Sequence, residues 1–146
     1  MKAPQELVDQ IKRQEVLRLE AYQDTLGNWT IGYGHTPAFP GQTITEAEAD
    51  SWLMQDLNSA QTDLLTAIPW CSSLSVPRYC VLWNMCFNMG VGHLLEFRLM
   101  LEAVRNANYP EAAKQMMNSL WASQVKERAV ELAEQMETGH WFNPEM

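Results

Sequence analysis

Apolar residues recur at helical spacing over most of this chain. Near its start, Leu7, Val8 and Ile11 share one face of a helix predicted over residues 4–16. Glu15 continues that face, so its carboxyl group is partly desolvated, which favours the protonated form that a general acid requires. The alternative is that Glu15 lies at a frayed helix end and points into water. The spacing alone leaves both interpretations open.

A different pattern after this helix predicts a β-hairpin over residues 19–36, with Leu26-Gly27-Asn28 as its turn. Asp24 follows Glu15 by nine positions, and Thr30 follows Asp24 by six. Two acids at a helix-to-hairpin junction are the groups that glycoside hydrolysis uses. Asp24 also fits an Asx-turn, which is the better-supported interpretation when this residue is taken alone.

A capping box and a proline delimit a long helix over residues 45–68. Thr45 and Glu48 match the capping box, and Pro69 ends the helix. From residue 76 onward the pattern predicts helices only. These are a helix from Pro77 stopped by Gly90 and Gly92, a helix over 94–104, a helix from Pro110 through Met117, and a helix over 124–136 closed by Gly139.

Length and composition are those of one globular domain. The chain has 146 residues, 47% of them hydrophobic, and no apolar run approaches the ~20 residues of a membrane span. Residues 1–16 lack the apolar segment of a Sec signal peptide. The net charge is −8, and residues 44–68 hold five acidic and no basic side chains. An acidic chain argues against nucleic acid as a partner.

The cysteines and histidines do not have metal-ligand spacing. Cys71, Cys80 and Cys86 are odd in number and are interpreted as reduced thiols in a helical core. The three histidines are scattered along the chain. We therefore expect no metal site.

Several motifs occur together in the order of one family. The spacing of Glu15, Asp24 and Thr30 matches its pattern, and TIGYGH spans residues 30–35. The other matching segments are ITEAEA at 44–49, FNMG at 87–90, the W-x-x-Q-x-x-x-R signature of Trp121, Gln124 and Arg128, and a TGxW motif at 138–141. Over about residues 7–141 the chain resembles the phage-type lysozymes of the T-even phage lysozyme family, glycoside hydrolase family 24.

The resemblance implies a lysozyme-like, mainly helical α+β fold within a single domain over residues 1–146. A small N-terminal lobe over about 13–44 would carry the hairpin. A connecting helix over about 45–68 would join it to an all-helical C-terminal lobe over about 69–146. The first helix, 4–16, would pack on that C-terminal lobe, and the substrate cleft would lie between the lobes.

The resemblance also implies a mechanism. Glu15 would be the general acid, Asp24 the ionised base or electrostatic partner, and Thr30 would hold the attacking water. Arg128 would pair with the catalytic glutamate, although a surface helix cation is the alternative. The family is thought to invert the anomeric centre, for which the two carboxyl groups should be roughly 6.5–9.5 Å apart.

Further residues take supporting roles by the same resemblance. Asn84, Asn88 and Trp121 would line the sugar cleft, although core packing explains Trp121 about equally well. His35 and Asp56 would form a buried structural ion pair that joins the hairpin to the long helix. Breaking one partner of a buried pair can cost ~3–5 kcal/mol.

The implied activity is that of an endolysin, a muramidase that cleaves the β-1,4 bond between N-acetylmuramic acid and N-acetylglucosamine in peptidoglycan. We expect a monomer without a cofactor and without membrane insertion. It would be made in the bacterial host cytoplasm and reach the wall from the periplasm after a holin permeabilises the membrane. One alternative is a non-catalytic peptidoglycan-binding module, against which the three intact site residues argue. Another is a bacteriocin or effector toxin with the same catalytic fold. It would need a translocation or receptor domain, for which we expect no room in the chain, although a partner subunit could supply one.

The sequence departs from the family pattern at several points. Leu26 lies in the hairpin turn where some members carry an acidic residue, and the loop over 36–43 is shorter than in longer members. Arg98-Leu99-Met100 replaces a segment containing Ser or Thr, so a helix cap is expected to be lost. Family members are often basic, whereas this chain is acidic.

Overall fold

The structure is a computed structural model that describes residues 1–144. It is mainly helical with one small antiparallel hairpin, which confirms the α+β class. The chain divides into two compact units, Met1–Ser59 and the part from Ala60 onward, and the division falls within the long helix. The predicted lobe bounds, and the packing of the first helix on the C-terminal lobe, stay predictions.

The first unit begins with helix α1, Gln5–Gln14, which is shorter at both ends than predicted. Its apolar face is buried, with Leu7 and Ile11 fully inaccessible to solvent. Pro4 is the N-cap rather than the first helical residue. Glu15 is the C-cap with an extended backbone, and its N–H donates to Ile11 O at 2.7 Å. Glu15 therefore lies just past the helix rather than on its face.

The predicted hairpin is confirmed, with shorter strands than expected. Strand β1, Arg18–Gln23, pairs antiparallel with β2, Trp29–Gly32. The register places Tyr22 opposite Thr30, and an irregularity in the pairing follows Arg18. Ile31 in β2 is fully buried, so this strand contributes to the core.

Helix α2, Glu46–Ala67, begins at the predicted capping box. The Glu48 N–H donates to Thr45 Oγ1, and the Thr45 N–H donates to Glu48 Oε1, both at 3.1 Å. A 3-10 turn over Pro69–Ser73 follows, so Pro69 ends the α-helix as expected.

The second unit continues with six helices, of which α3, Val76–Met89, contributes the most to the core. Trp83, Leu82 and Met85 are fully buried on it. The remaining helices are α4, Val91–Leu94; α5, Arg98–Arg105; α6, Tyr109–Met117; α7, Leu120–Val125; and α8, Glu127–Thr138.

The three cysteines are buried free thiols, as expected. Burial is the largest cause that raises the pKa of Cys71 to about 11, and the same cause raises the pKa of Cys86 to about 11. A thiol with so high a pKa carries little thiolate at neutral pH and is chemically inert.

Two predicted helices of the second unit were wrong in their bounds. The predicted helix over 94–104 is divided between two helices, because α4 ends at Leu94 and α5 begins at Arg98. Gly92 lies inside α4 and does not stop α3. Helix α5 has no side-chain N-cap, in line with the expected loss. The helix over 124–136 is also two, since Ser119 caps α7 and Lys126 interrupts the path with φ +47°.

Gly139 closes α8 in the left-handed conformation, as predicted, and Arg78 caps the same helix end. The Arg78 guanidinium donates to Met136 O at 2.7 Å and to Glu137 O at 2.8 Å, and it stacks 3.4 Å from the centre of the Tyr109 ring. A cation at a helix C-terminus satisfies carbonyl groups that the helix leaves unpaired.

Across residues 1–144, no helix is both long enough and apolar enough to cross a bilayer.

Candidate active site

Asp24 opens the hairpin turn and is held by it. One carboxylate oxygen, Oδ1, accepts from the backbone N–H of Leu26 at 2.9 Å and of Asn28 at 2.8 Å. The other oxygen, Oδ2, accepts only a long 3.4 Å hydrogen bond from the Asn28 side chain. The Asx-turn interpretation of Asp24 is therefore confirmed, and it leaves Oδ2 with most of its capacity to accept further hydrogen bonds.

The same hydrogen bonds keep Asp24 ionised. The backbone N–H of Asn28 is the largest cause that lowers the pKa of Asp24 below its ordinary value, and the N–H of Leu26 adds to it. Backbone donors stabilise the charged form of a carboxylate. Asp24 is thus an anion at neutral pH.

Thr30 and Asp24 meet at one carbonyl oxygen. The Asp24 N–H donates to Asn28 O at 2.9 Å, and the Thr30 hydroxyl donates to the same oxygen at 3.1 Å. Thr30 is buried, so its side chain is fixed. Because its proton is engaged, the Thr30 oxygen offers only lone pairs to a further partner.

Glu15 packs against the second turn of the hairpin. A Cβ atom added at Gly34 would lie 3.4 Å from both Cδ and Oε2 of Glu15, and Gly34 has φ +80°. The Glu15 side chain is half-buried. The frayed-end alternative, in which the carboxyl group points freely into water, is therefore wrong, because the Glu15 side chain is half-buried and its carboxyl group lies beside Gly34.

The turn that carries Gly34 is fixed from two directions. Ile31 and His35 exchange backbone hydrogen bonds of 2.9 and 2.8 Å around it. His35 Nδ1 lies 2.8 Å from Asp56 Oδ2 on α2, and its ring centre lies 4.5 Å from that of Trp52. The pair expected at His35 and Asp56 is present, but the side chains are 25% and 30% exposed rather than buried. Solvent screening reduces what such a pair contributes, so the cost of breaking it is below the ~3–5 kcal/mol of a buried pair.

Tyr22 is a further candidate site residue of this unit that the sequence motifs did not indicate. It lies opposite Thr30 in the hairpin and two positions before Asp24. Strand alternation was the available signal, because residues two apart on a strand share a face.

In the second unit, Trp121 and Asn88 are connected by a side-chain hydrogen bond. The Trp121 indole N–H donates to Asn88 Oδ1 at 2.7 Å, and Phe97 contacts the indole edge-on with ring centres 6.0 Å apart. The Trp121 side chain is buried apart from 7% of its surface and borders a pocket of about 410 Å³ that Gln124 also lines. Trp121 therefore packs in the core and also lines this pocket.

Asn84 and Arg128 are buried in the same unit. Asn84 on α3 is 0% exposed, which favours a structural role, and its assignment to substrate stays a prediction. Arg128, on the first turn of α8, is only 8% exposed, so the alternative of a surface cation is wrong. A buried guanidinium requires polar partners. Its predicted pairing with Glu15 stays a prediction.

Comparison with known proteins identifies the family. A family model described as phage lysozyme matches residues 12–134. A probable T4-type lysozyme 1 of Dictyostelium discoideum is 30% identical over 90% of this chain and 93% of its own length. An endolysin of Acyrthosiphon pisum secondary endosymbiont phage 1 is 39% identical over 56% of this chain and 55% of its own. The pre-baseplate central spike protein Gp5 of Enterobacteria phage T4 is 31% identical over 84% of this chain but only 26% of that protein.

The family match agrees with the resemblance seen in the sequence motifs and includes the hairpin with Asp24, Thr30 and Gly34. It extends through most of α8, so both compact units take part in it. The chain therefore belongs to the phage lysozyme family and is a glycoside hydrolase of the lysozyme type.

Proposed function

We propose that this protein is an endolysin-type muramidase that hydrolyses the β-1,4 bond between N-acetylmuramic acid and N-acetylglucosamine in peptidoglycan. The observation that carries the proposal is that Asn28 binds both residues. Its backbone N–H donates to the ionised Asp24 carboxylate, and its carbonyl oxygen accepts from the Thr30 hydroxyl. The second carboxyl group, Glu15, is supported by the same hairpin at Gly34. One ionised and one protonatable carboxyl group are the components of a glycosidase site.

In the proposed reaction, Glu15 donates its proton to the glycosidic oxygen as the bond from that oxygen to the anomeric carbon breaks. Positive charge develops on the sugar, and the Asp24 carboxylate stabilises it. A water attacks the anomeric carbon and transfers a proton to Asp24. Protons therefore balance, since Glu15 loses the one that the leaving group gains and Asp24 takes one from water.

The hydrogen-bond pattern suits Thr30 and Asp24 to hold that water. Oδ2 of Asp24 has only one long partner, and the Thr30 oxygen has free lone pairs, so both groups accept. A water that donates one hydrogen to each has both hydrogens engaged and presents its lone pairs elsewhere. This arrangement predicts inversion at the anomeric carbon. Proton NMR of the reaction tests this, because it shows which anomer of the product is released first.

We assign sugar contacts in the second unit to Asn88 and Trp121, with Arg128 and Asn84 as supporting residues. The hydrogen bond between the Trp121 indole and Asn88 holds the indole in one orientation, which favours stacking on an apolar sugar face. Alanine at Asn88 would release the indole and should raise KM more than it lowers kcat.

The biological role that we propose is lysis of a bacterial host. Three of the relatives are named as endolysins of phages, one of them from Salmonella phage P22. The enzyme would act as a monomer and reach peptidoglycan in the periplasm after a holin opens the inner membrane.

The decisive experiment compares the wild type with Glu15→Gln on purified Gram-negative peptidoglycan. Reducing ends are measured, and circular dichroism confirms that both proteins are folded. The proposal expects reducing ends from the wild type and none from the folded variant. A wild type that binds the wall without releasing reducing ends would instead support the binding-module alternative.

A further inference from the structure

Tyr22 shares a face of the hairpin with two candidate site residues. The register places Tyr22 opposite Thr30, and paired residues on antiparallel strands have their Cβ atoms roughly 4.5–5.5 Å apart on one face. The same register continues into the turn, because the Asp24 N–H donates to Asn28 O. Asp24, two positions after Tyr22, therefore lies on that face as well.

The electrostatic surroundings of Tyr22 include both candidate carboxyl groups. Burial is the largest cause that raises the pKa of Tyr22 above its ordinary value, and the charges of Glu15 and then Asp24 raise it further. The Arg18 guanidinium, 5.0 Å from the centre of the Tyr22 ring, acts in the opposite direction. The phenol therefore feels the charge of both acids and remains a neutral O–H donor at working pH.

The phenol oxygen is not engaged by the protein. Within residues 1–144 the Tyr22 hydroxyl makes no hydrogen bond to another residue, although the side chain is half-buried. Its ring is held on one side by Arg18. The ring thus lies against the Arg18 side chain, while the O–H is available to a molecule that enters the site.

We propose that Tyr22 is a positioning residue for the attacking water, donating its phenolic O–H to the oxygen of the water that Asp24 and Thr30 hold. This inference rests on the proposed muramidase function. It assigns Tyr22 a role in the reaction that neither the sequence motifs nor the family match specify.

The chemical argument is the tetrahedral geometry of water. A water molecule offers two hydrogens and two lone pairs. Asp24 and Thr30 are both acceptors and engage the two hydrogens, while a donor from Tyr22 engages one lone pair. One lone pair then remains, and it is the one that attacks the anomeric carbon. Three fixed contacts restrict the water to one orientation, which lowers the entropic cost of reaching the transition state.

The test is Tyr22→Phe, which removes only the hydroxyl and keeps the ring against Arg18. The matched control is Tyr33→Phe, the same change at a buried tyrosine of the same hairpin segment whose ring lies under the Lys12 ammonium. Initial rates are measured on soluble uncrosslinked peptidoglycan strands for the wild type, both variants and Glu15→Gln. Thermal unfolding of each protein is recorded beside the rates.

For Tyr22→Phe we expect kcat to fall by about threefold to tenfold, which is the effect of one neutral hydrogen bond. KM should stay within about twofold, because the water and not the sugar loses a contact. Tyr33→Phe should retain the wild-type kcat, and both melting temperatures should stay close to the wild type.

Three results would overturn the inference. A Tyr22→Phe variant with wild-type kcat shows that the hydroxyl is not needed, and one with raised KM at unchanged kcat shows that it contacts the sugar instead. In both cases an active wild type and an inactive Glu15→Gln leave the muramidase function standing. An inactive wild type overturns the proposed function and the role of Tyr22 together.

Discussion

Gly34 provides the sharpest test of how Glu15 is held. In Gly34→Ala the added methyl group would lie 3.4 Å from the Glu15 carboxyl carbon and Oε2, at the near limit of ordinary contact. The residue also has φ +80°, where an L-amino acid costs about 1–2 kcal/mol. The backbone conformation lowers the free energy of unfolding, and the methyl group fills the space beside the carboxyl group.

These two effects can be separated with Gly41→Ala. Gly41 has φ +83°, but nothing lies within 4 Å of a Cβ atom added there. Both variants should therefore lose about 1–2 kcal/mol of unfolding free energy and melt a few degrees lower than the wild type. Only Gly34→Ala should lose activity, because only its methyl group touches a proposed catalytic carboxyl group. Such a contact shifts that group by a few tenths of an ångström at most, so the loss should be well below the order of 100-fold that a misplacement of about 1 Å can cost.

The assay is kcat/KM on soluble peptidoglycan strands at a temperature well below both melting points, with urea unfolding as the measure of stability. We expect a kcat/KM about threefold lower for Gly34→Ala than for Gly41→Ala at equal stability. Equal activity of the two variants would refute the reasoning, because it would show that the contact with Gly34 does not position Glu15.

Three further expectations concern charge and backbone geometry. Because backbone donors lower the pKa of Asp24 below 3.8, its contribution to stability is present above that pH and is lost only as the pH falls through the lowered value. The acid limb of kcat/KM should accordingly lie below pH 3.8, and a midpoint above it would contradict the assignment of Asp24 to that limb. Arg78→Met should lower the free energy of unfolding in urea by about 2–3 kcal/mol, since two carbonyl groups lose a charged donor, while an unchanged urea midpoint would show that the cap is not stabilising. Lys126→Gly should raise the free energy of unfolding in urea by up to about 1 kcal/mol, because glycine adopts φ +47° without strain. A lower urea midpoint would show that the lysine side chain stabilises this junction.

Features encoded by neighbouring residues were predictable from the sequence. The capping box of Thr45 and Glu48, the stop at Pro69 and the left-handed Gly139 each depend on residues within one or two turns, and all are present. The candidate site was predictable as a set of residues, because its spacing matches a family. Its geometry was not, since the support of Glu15 by Gly34 appears only when the hairpin folds back on the helix end.

Three features of the structure were not predicted from the sequence. The break between α7 and α8 falls at Lys126, and lysine gives no signal of a positive φ. Gly92 was predicted to stop a helix, but it lies within the four residues of α4. Helix α3 already ends before it, at Gly90, which has φ +84°. Tyr22 was overlooked because an aromatic residue in a strand is explained equally well by packing.

The Asp24 carboxylate is shared between folding and chemistry, and this has an evolutionary consequence. Its Oδ1 closes the turn, while Oδ2 is the oxygen assigned to the reaction. Selection for a stable turn would preserve the aspartate even in a descendant that had lost all activity. Asp24 alone is therefore a weak marker of an active relative. The same holds for Thr30, whose hydroxyl also donates to the turn at Asn28 O, so the identity of the residue at position 15 is more diagnostic. Among duplicated copies of this enzyme, we expect loss of activity to appear first as a substitution at position 15.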